Sequence, residues 1–575
     1  MAFIDIKSRS ESLEYSQKSE VILFLVIFLV GVIIRFINLG LIPFNTAEAM
    51  SAYQALQLNQ KNVDLPITQP AYLGLTGLLF MLFEPDGFWA RLIPVLLGSL
   101  FVLLPIAFRQ QLGIKMALFL SLVIAIDPLH IASSRMIGSP MIGFFGLMFF
   151  LVMICWHRPV LAGIGLSLAI SGGEVFWSLM ISIGVALLVS YLINKDILKN
   201  IQNSELVNSR KNTKFLFKCL VGFFVGLILL ASGFFFYPAG LGNSFVGIQT
   251  FLEKFSLPSG VKIWQVLVAT LVYGFVPLTL GIFQGILSLI KREKMGSILF
   301  WVAVVSLLII VIQPGRQVLD LVVPITIFWF LAARLLSSRV DDLREISWVR
   351  TAVALFSLVI LVFLSMNVRS MGNSGFSQPE FVSHLVAFLV GIVLLIIVIL
   401  LVGFGWQFSY ALHGLVIGIF VFFVISTISM SLPGIMGRSG AKFELWQTSP
   451  IISNADAIIS PVAEISDRAM GEQTEVDIAL IGSEQQSLLW ALRNFVDLKN
   501  YATLPQALQP SVIISSDDLA GEVSASYRGT ETSVLAEPAW NSMDYSDVLN
   551  WMITRKAPIQ AKNLILWIRS DLFKN

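Results

Sequence analysis

The sequence predicts an α-helical polytopic membrane protein with a small α/β domain at its C-terminal end, and three observations support this fold class. The 575 residues are 56% hydrophobic and only 13% charged, which is more apolar surface than a water-soluble core can hide. The apolar residues form continuous runs, whereas the strands of a membrane barrel alternate apolar with polar residues. The last quarter of the chain lacks these runs and instead shows strand and helix patterns of globular length.

About thirteen apolar runs predict the membrane part of the chain. A helix needs roughly 20 apolar residues to cross a hydrocarbon layer about 30 Å thick. Several runs are short, so neighbouring pairs can be divided differently and the count can change by two. The runs lie at residues 21–38, 88–108, 115–128, 139–156, 158–171, 175–193, 215–236, 263–290, 297–312, 318–336, 351–367, 382–403 and 409–431.

The distribution of lysine and arginine predicts a cytoplasmic N-terminus. Of the 38 basic residues, about 19 fall on the side of the N-terminus and about 8 on the opposite side. The positive-inside rule assigns the richer side to the cytoplasm. The first run lacks a small-residue cleavage site, which favours a retained anchor over a signal peptide. We therefore expect an integral protein of the cell membrane, and an odd number of spans places the C-terminal domain outside.

Composition divides the chain into three expected parts: a cytoplasmic segment 1–20, a transmembrane domain 21–431 and a soluble extracytoplasmic domain 432–575. Pro433, Gly434, Gly437 and Gly440 are expected to break the last helix. Two outer loops, 40–88 and 237–260, are long enough to form the walls of an external site.

The C-terminal part is predicted to be a small α/β domain that folds around its own core. Its turn after the first strand has one glycine and is no dinucleotide fingerprint, which favours a structural or substrate-shaping role. The predicted strands are 476–482, 510–516 and 563–569, and the predicted helices are 483–495 and 543–553.

Charged residues at the outer ends of the apolar runs are the strongest functional signal in the sequence. A charge at the hydrocarbon costs about 2.5–3.5 kcal/mol even on the insertion scale, so each one needs a partner or a role. No feature of the sequence suggests a nucleic acid partner. The charged residues are Arg35, Glu48, Arg91, Asp127, Arg135, Glu174, Arg316 and Asp320.

Structural roles compete with functional ones at these positions. Asn45 and Glu48 have the spacing of a capping box, in which the two side chains close the start of a helix. Arg35 and Arg91 could place their charges among the lipid headgroups. Asp127 precedes a proline and is favoured as a helix-end or turn residue.

Three other positions have structural alternatives as well. Glu174 follows two glycines and could cap the next helix, and Asp320 could pair with Arg316 at i, i+4. His130 is expected to be exposed and able to shuttle protons, although a lone histidine usually has no such role.

Four segments carry a resemblance to a known family. They are "IIRFINLGLIPFNTAEAMSAYQA" (33–55), "QPAYLGLTGLLFMLFEPDGFWARLIPVLLGSLFVLL" (69–104), "AIDPLHIASSRMIG" (125–138) and, more weakly, "QPGRQVLDLVVP" (313–324). Together they resemble the polytopic glycosyltransferases of the GT-C superfamily, of the protein O-mannosyltransferase and aminoarabinose transferase types. The resemblance covers roughly residues 20 to 335.

The resemblance implies a site at the outer face of the membrane. Glu48 would be the catalytic acid or base, because attack on an anomeric carbon releases the proton of the acceptor. Arginines would hold the phosphate of the donor, since the guanidinium fork matches phosphate oxygens. The implied phosphate-binding residues are Arg135, Arg316 and Arg91, and the implied supporting residues are Asn45, Gln69, Tyr72, Asp127, His130 and Asp320.

The chain departs from the family pattern at two positions. Ala47 stands where the family usually has the first acid of a pair, and Gln69 stands where many members have a histidine. The sequence therefore assigns no metal ligand. In the family the pair of acids could help to hold a divalent cation, and whether this chain binds such a cation is left open. Cofactors are otherwise unknown.

The sequence thus predicts a membrane glycosyltransferase that moves a sugar from a polyprenyl-phosphate carrier to a lipid, glycan or protein acceptor. The alternative is a non-catalytic relative that binds lipid-linked sugars or helps to translocate them, which Ala47 and Gln69 favour. A transporter is the least favoured class, because no internal repeat is apparent.

Overall fold

The structure is a computed structural model that describes ten stretches of the chain. The predicted loop 40–88 and the predicted helix 483–495 are described in part, since residues 59–67 and 483–485 lie outside these stretches. The described residues are 2–58, 68–109, 113–193, 213–337, 348–374, 378–436, 443–482, 486–503, 508–516 and 526–573.

Ten helices lie in the described residues up to Ile193 and form the first part of the bundle. Apolar residues with good helix propensity fill them. Pro70, Pro128 and Pro159 each occupy the first position of a helix, where the missing N–H costs nothing. The helices are α1 (Ala2–Phe36), α2 (Thr46–Gln57), α3 (Pro70–Leu82), α4 (Gly87–Phe101), α5 (Leu104–Ala107), α6 (Ile114–Ile126), α7 (Pro128–Arg135), α8 (Met141–Cys155), α9 (Pro159–Ser171) and α10 (Val175–Ile193).

Nine further helices follow in the described residues 213–436. Irregular helical turns flank four of them: π-helical turns at Leu227–Ala231 and Gly403–Gln407 and a 3-10 turn at Val318–Leu321. The helices are α11 (Thr213–Gly226), α12 (Ala239–Asn243), α13 (Val246–Glu253), α14 (Ile263–Ile290), α15 (Lys294–Ile312), α16 (Val322–Ser337), α17 (Trp348–Ser374), α18 (Pro379–Val402) and α19 (Phe408–Met436).

The predicted count of about thirteen spans is not confirmed. Within the described residues, nine helical segments are long and apolar enough to cross a membrane, or ten if the bent pair α6 and α7 is one span. The runs predicted at 139–156 and 158–171 are helices of 15 and 13 residues, α8 and α9, which is short for a straight crossing. The runs predicted at 382–403 and 409–431 belong to one apolar segment, Pro379–Ser429.

The segment Pro379–Ser429 is not one straight helix. A straight helix of its 51 residues would be about 76 Å long, more than twice the hydrocarbon thickness. Helix α17 has 27 residues and packs extensively against both α18 and α19. The two halves therefore lie beside α17, and the chain changes direction at the π-helical turn Gly403–Gln407.

Glycines allow α9 and α11 to pack at backbone distance. A Cβ added to Gly222 in α11 would lie 2.1 Å from the carbonyl oxygen of Val160. One added to Gly163 in α9 would lie 2.1 Å from that of Cys219. Since α9 packs on α8 as well, these short helices form one closely packed group.

The C-terminal part contains a mixed six-stranded sheet of order β1-β5-β6-β4-β2-β3. Strand β2 is parallel to β3 and β4, and the pairs β4 and β6, β5 and β6, and β1 and β5 are antiparallel. The elements are β1 (Ile451–Ile452), α20 (Asp456–Met470), β2 (Ile478–Ile481), α21 (Gln486–Ala491), β3 (Leu498–Tyr501), β4 (Val512–Ser515), β5 (Tyr527–Pro538), α22 (Tyr545–Thr554) and β6 (Ile559–Arg569).

This sheet confirms the small α/β domain that the sequence predicted. The predicted strands correspond to β2, β4 and β6, and the helix predicted at 543–553 corresponds to α22. The last helix, α19, continues past Pro433 and Gly434 and ends at Met436, directly before Gly437, another of the residues predicted to break it.

The sheet domain packs on the end of the bundle that carries α2. The backbone N–H of Thr46 donates a hydrogen bond to the carbonyl oxygen of Pro450 (3.0 Å). The ring of Trp490 lies 5.3 Å from the ring of Phe44 and 5.8 Å from that of Phe80. Hydrogen bonds and buried aromatic rings thus fix the domain over the helix ends where most of the predicted site residues lie.

Candidate functional site

A sharp bend between α6 and α7 places several predicted residues near one another. The two helices meet at 57°, and Asp127 lies at the corner. Its Oδ1 accepts a hydrogen bond from the backbone N–H of His130 (3.0 Å), and its Oδ2 accepts one from Nε1 of Trp329 (3.0 Å). Asp127 is thus the cap of α7, which agrees with its interpretation as a helix-end residue, and all eight residues of α7 are buried.

Glu48 lies at the start of α2 in the capping box that its spacing with Asn45 predicted. The Glu48 N–H donates to Oδ1 of Asn45 (2.9 Å), and the Asn45 N–H donates to Oε2 of Glu48 (3.4 Å). The same carboxylate accepts hydrogen bonds from Nε (3.1 Å) and Nη2 (2.9 Å) of Arg91 and from the N–H of Ile137 (3.1 Å). With 3% exposure, Glu48 combines capping with a buried two-point ion pair.

Arg91 and Arg35 hold the ends of helices together from inside the bundle. They are 2% and 0% exposed, so the alternative that they reach the lipid headgroups is wrong. Their guanidinium groups satisfy carbonyl oxygens that helix ends and loops leave unpaired. The acceptors are Leu39, Ile42 and Pro43 for Arg91, and Gly31, Ile124 and Ala125 for Arg35.

Arg135, the last residue of α7, belongs to the same cluster. Its Nη1 donates to the carbonyl oxygens at the end of α1, namely those of Ile34 (3.1 Å), Arg35 (3.0 Å) and Ile37 (2.8 Å). A cavity of about 50 Å³ lies between Arg135 and the ion pair of Glu48 and Arg91, and Asn45 and Trp446 help to line it. We call this space the Glu48 cavity. The structure thus brings together four of the predicted site residues.

The residues around the Glu48 cavity do not fit a divalent cation. Both oxygens of Glu48 accept hydrogen bonds from N–H donors, Ala47 offers no ligand atom, and the guanidinium groups of Arg91 and Arg135 repel a cation. Among the described residues, no three His, Cys, Asp or Glu side chains form a group that could hold a metal ion.

Glu174 and Asp320 form a second cluster, around Lys254. Nζ of Lys254 contacts Glu174 and lies 2.9 Å from Oδ2 of Asp320. Burial alone would lower the pKa of Lys254, but the two carboxylates raise it above its usual range; burial raises the pKa of Glu174. The predicted pairing of Asp320 with Arg316 is wrong, since Arg316 donates to the carbonyl oxygen of Val261 (3.0 Å). Neither Asp320 nor Arg316 lines the Glu48 cavity.

The other three predicted supporting residues each hydrogen bond to a separate segment. His130 is 0% exposed, so its expected exposure is wrong. The bonds are Gln69 Nε2 to the carbonyl oxygen of Ser139 (2.9 Å), Tyr72 O–H to that of Ala90 (3.0 Å), and His130 Nε2 with Oγ1 of Thr326 (2.8 Å).

A much larger cavity, of about 980 Å³, shares Pro128 with the Glu48 cavity. Its walls are mostly apolar and come from the helices α14, α16, α17, α18 and α19, with the last residues of α22 from the sheet domain. We call it the helix-wall cavity. Three residues with ionisable carboxylate or guanidinium groups line it: Asp127, Arg369 and Arg555.

The sequence analysis did not single out the two arginines of the helix-wall cavity. Arg369 follows the predicted run 351–367 by two residues, so the search for charges at helix ends could have found it. Arg555 lies in the C-terminal domain, far along the sequence from the predicted spans, and no local pattern connects it with a membrane site.

Arg555 is held at the junction of the sheet domain and the bundle. Its Nη1 lies 3.5 Å from Oε2 of Glu444, and its guanidinium carbon lies 4.7 Å from the ring centre of Trp551 and 5.6 Å from that of Tyr273. The Tyr273 O–H donates to the same Oε2 of Glu444. Burial raises the pKa of Glu444, although Arg555 opposes this shift.

These elements form the same fold as a solved membrane glycosyltransferase of the GT-C type, which confirms the predicted resemblance at the level of fold. The chain is similar to ArnT, the aminoarabinose transferase from Cupriavidus metallidurans. The solved structure of ArnT in the apo state and this chain superpose with a TM-score of 0.56 and are 14% identical in sequence. The similarity covers 97% of this chain and 99% of the ArnT chain.

Two further solved structures are similar to this chain. ArnT bound to undecaprenyl phosphate gives a TM-score of 0.54 and 14% identity, over 96% of this chain and 98% of ArnT. The Archaeoglobus fulgidus oligosaccharyltransferase, solved in complex with zinc and sulfate, gives a TM-score of 0.40 and 10% sequence identity. This similarity covers 86% of this chain and 67% of the oligosaccharyltransferase chain. No protein-family model and no curated protein sequence matches the chain.

Proposed function

We propose that the protein is a membrane glycosyltransferase that moves a sugar from a polyprenyl-phosphate carrier to an acceptor at the outer face of the membrane. The sugar is a hexose or a pentose, and the acceptor is a lipid, a glycan or a protein. The proposal places the N-terminus in the cytoplasm and the sheet domain outside, as the distribution of basic residues predicts.

The observation that carries the proposal is the helix-wall cavity and its position beside the Glu48 cavity. Its volume of about 980 Å³ is at the upper end for small-molecule pockets, and its walls suit a hydrocarbon chain. Pro128 lines both cavities, so a lipid in the larger one would lie next to the charged cluster. The fold is shared with ArnT, whose structure has been solved with undecaprenyl phosphate bound.

In the proposed reaction an acceptor oxygen or nitrogen attacks the anomeric carbon of the sugar. The bond from that carbon to the phosphate oxygen breaks, and the polyprenyl phosphate leaves with the electron pair. Glu48 takes the proton of the acceptor, while Arg135 and Arg91 stabilise the phosphate; Arg316, predicted for the same role, does not line the Glu48 cavity and is left out of this step. Because Oε1 of Glu48 already accepts from Arg91 and Ile137, one of these contacts must open before the proton can transfer.

A second candidate function is binding, or assisted translocation, of a lipid-linked sugar without transfer. The observation that favours it is the saturation of Glu48 by the capping box and the ion pair with Arg91, together with Ala47 in the position of the first acid. In this case the cluster would only hold α2 in place.

Sugar transfer by purified protein in lipid nanodiscs separates the two candidates. Membrane extract containing polyprenyl-phosphate hexoses and pentoses serves as donor and acceptor, and glycosylated products are detected by mass spectrometry. Transfer by the wild type that is lost in Glu48→Gln supports the proposed enzyme. The control is Glu253→Gln, which changes a glutamate of α13 whose side chain accepts a hydrogen bond from Nε2 of Gln249 and does not line the Glu48 cavity.

The thermal unfolding midpoint of each variant shows whether it is folded. Undiminished transfer by Glu48→Gln contradicts the assigned role of this residue. Wild-type protein that binds the donor lipid without any turnover contradicts the enzyme and supports the second candidate. Glycolipids and surface polymers from cells with and without the protein identify the sugar and the acceptor.

A further inference from the structure

A small cavity of about 20 Å³ lies within the cluster around Lys254. We call it the Lys254 cavity. None of the residues that line it lines the Glu48 cavity or the helix-wall cavity. A space of this size holds a single water molecule, and it is too small for a sugar or a lipid headgroup. Its lining includes Glu174, Lys254, Gln313 and Asp320.

Four separate segments of the chain meet at the Lys254 cavity. Glu174 directly precedes α10, and Lys254 directly follows α13. Gln313 directly follows α15, and Asp320 lies in the 3-10 turn before α16. The cavity therefore lies where the outer loop that carries α13 meets the ends of three membrane helices.

The backbone of the outer loop is joined to the same place. The N–H of Gly315 donates a hydrogen bond to the carbonyl oxygen of Lys254 (2.8 Å). The Ser259 hydroxyl donates one to the carbonyl oxygen of Arg316 (2.6 Å). These bonds fix the positions of the side chains around the cavity, so that its shape belongs to the folded structure.

Two buried polar atoms of the lining residues have no hydrogen-bond partner among the described residues. One is Nε2 of Gln313, a donor on a side chain that is only 3% exposed. The other is Oε2 of Glu174, an acceptor, since Lys254 contacts Oε1 of the same carboxylate. Buried polar groups in native proteins are nearly always paired, either with protein atoms or with ordered water. A donor and an acceptor at one small cavity are the partners that a buried water needs.

The charges at the Lys254 cavity fit a neutral guest better than an ion. Two carboxylates face one ammonium group, so the cluster has no spare positive charge for an anion. Nζ of Lys254 contacts both Glu174 and Asp320 and thus takes the place that a bound cation would have between the carboxylates. Water is neutral, and it donates and accepts hydrogen bonds at the same time.

We infer that the Lys254 cavity binds one water molecule, which accepts a hydrogen bond from Nε2 of Gln313 and donates one to Oε2 of Glu174. The water connects α15 with the start of α10 beside the ion pairs of Lys254, and it completes the polar network that fixes the outer loop. This site does not depend on the proposed function, which stands or falls by other experiments.

An experimental structure of the full-length protein in nanodiscs, at a resolution that shows ordered water, tests the inference directly. One density peak is expected in the Lys254 cavity, within about 3.2 Å of Gln313 Nε2 and of Glu174 Oε2. A cavity without density overturns the inference.

The variant Gln313→Met distinguishes a water site from an empty cavity by the direction of its effect. Methionine is similar in length to glutamine but offers no N–H. If water is bound, the variant loses one of its hydrogen bonds, and amide hydrogen exchange in α13 is expected to be about fivefold faster. If the cavity is empty, the variant removes an unpaired buried amide. Exchange in α13 that is unchanged or slower therefore overturns the inference.

Gln284→Met is the matched control. Gln284 is a buried glutamine of α14 whose Nε2 donates to Oγ of Ser288 (3.3 Å), and it does not line the Lys254 cavity. Exchange in α13 is expected to stay at the wild-type rate. Equal acceleration by Gln284→Met and Gln313→Met would show a general loss of stability and overturn the inference. Wild-type exchange in α13 that depends on Na⁺, K⁺ or Ca²⁺ at constant ionic strength would indicate a bound cation and overturn it as well.

Discussion

The ion pair of Glu48 and Arg91 shows how one buried carboxylate can join several segments of the chain. The carboxylate caps α2, bonds to the loop at Ile137 and pairs with α4 through Arg91. A buried charge without a partner costs several kcal/mol, so neither side chain can be changed alone without a large effect. Loss of activity in a Glu48 variant is therefore informative only beside a measurement of folding.

Arg91→Ala is predicted to lower the free energy of unfolding by about 3–5 kcal/mol, because Glu48 is left buried and unpaired. Glu48→Ala with Arg91→Ala should cost less than the sum of the two single changes, since no unpaired charge remains. Denaturant titration in detergent measures both quantities. Arg468→Ala, which removes a side chain 61% exposed in its ion pair with Glu464, should cost less than about 1 kcal/mol. Strictly additive losses at Glu48 and Arg91 would show that the two residues are not coupled.

The sequence predicted local patterns of side chains better than it predicted partners from distant segments. The capping box of Asn45 and Glu48 is a local pattern, and it is present. The partners of Arg35, Arg91 and Asp320 come from distant segments, and the expected exposure of His130 depended on the same unknown packing. Long-range contacts of this kind leave no periodic signal in a single sequence.

At the level of elements, the long predicted runs correspond to membrane-spanning helices. The short runs at 139–156 and 158–171 are helices as well, but they are not long enough to count as spans. Length decides whether a helix can cross alone, and α8 and α9 are too short for that. Their glycines instead favour close packing on other helices. The bend at Asp127 and Pro128 is another feature that an apolar run does not specify, although the proline indicates where it falls.

Gly222→Ala is predicted to destabilise the packing of α9 and α11 by about 1–3 kcal/mol, as overpacking does. The added Cβ would meet the backbone oxygen of Val160, which cannot rotate away as a side chain can. Gly184→Ala in α10 is the matched control, because nothing lies within 4 Å of its added Cβ.

The control should be neutral or stabilising by up to about 1 kcal/mol, from helix propensity. Unfolding midpoints in detergent measure both variants. Equal effects of the two changes would mean that α9 and α11 do not pack as closely as the structure places them.

For the whole molecule, composition alone predicted the division into a membrane part and a small α/β domain, and both are confirmed. Composition could not show that the domain is fixed to the bundle. The contacts that fix it join residues about 400 positions apart, such as Arg493 with the carbonyl oxygen of Pro85 (3.1 Å). For the same reason the sequence did not indicate that the domain lines the helix-wall cavity.

Trp490→Ala is predicted to loosen the sheet domain from the bundle. Its ring packs against Phe44 and Phe80, and truncating a buried aromatic residue typically costs about 3–5 kcal/mol. Hydrogen exchange should rise in α2 and α21, where the two parts meet, before it rises in the centre of the sheet. Tyr545→Ala, at a side chain 93% exposed, is the control. Unchanged exchange in α2 would contradict the role of Trp490 as an anchor.

The ring of Pro128 is shared by the two cavities, and it belongs to a helix whose residues are all buried. A substitution that removes or enlarges this ring would therefore change the shape of both cavities at once.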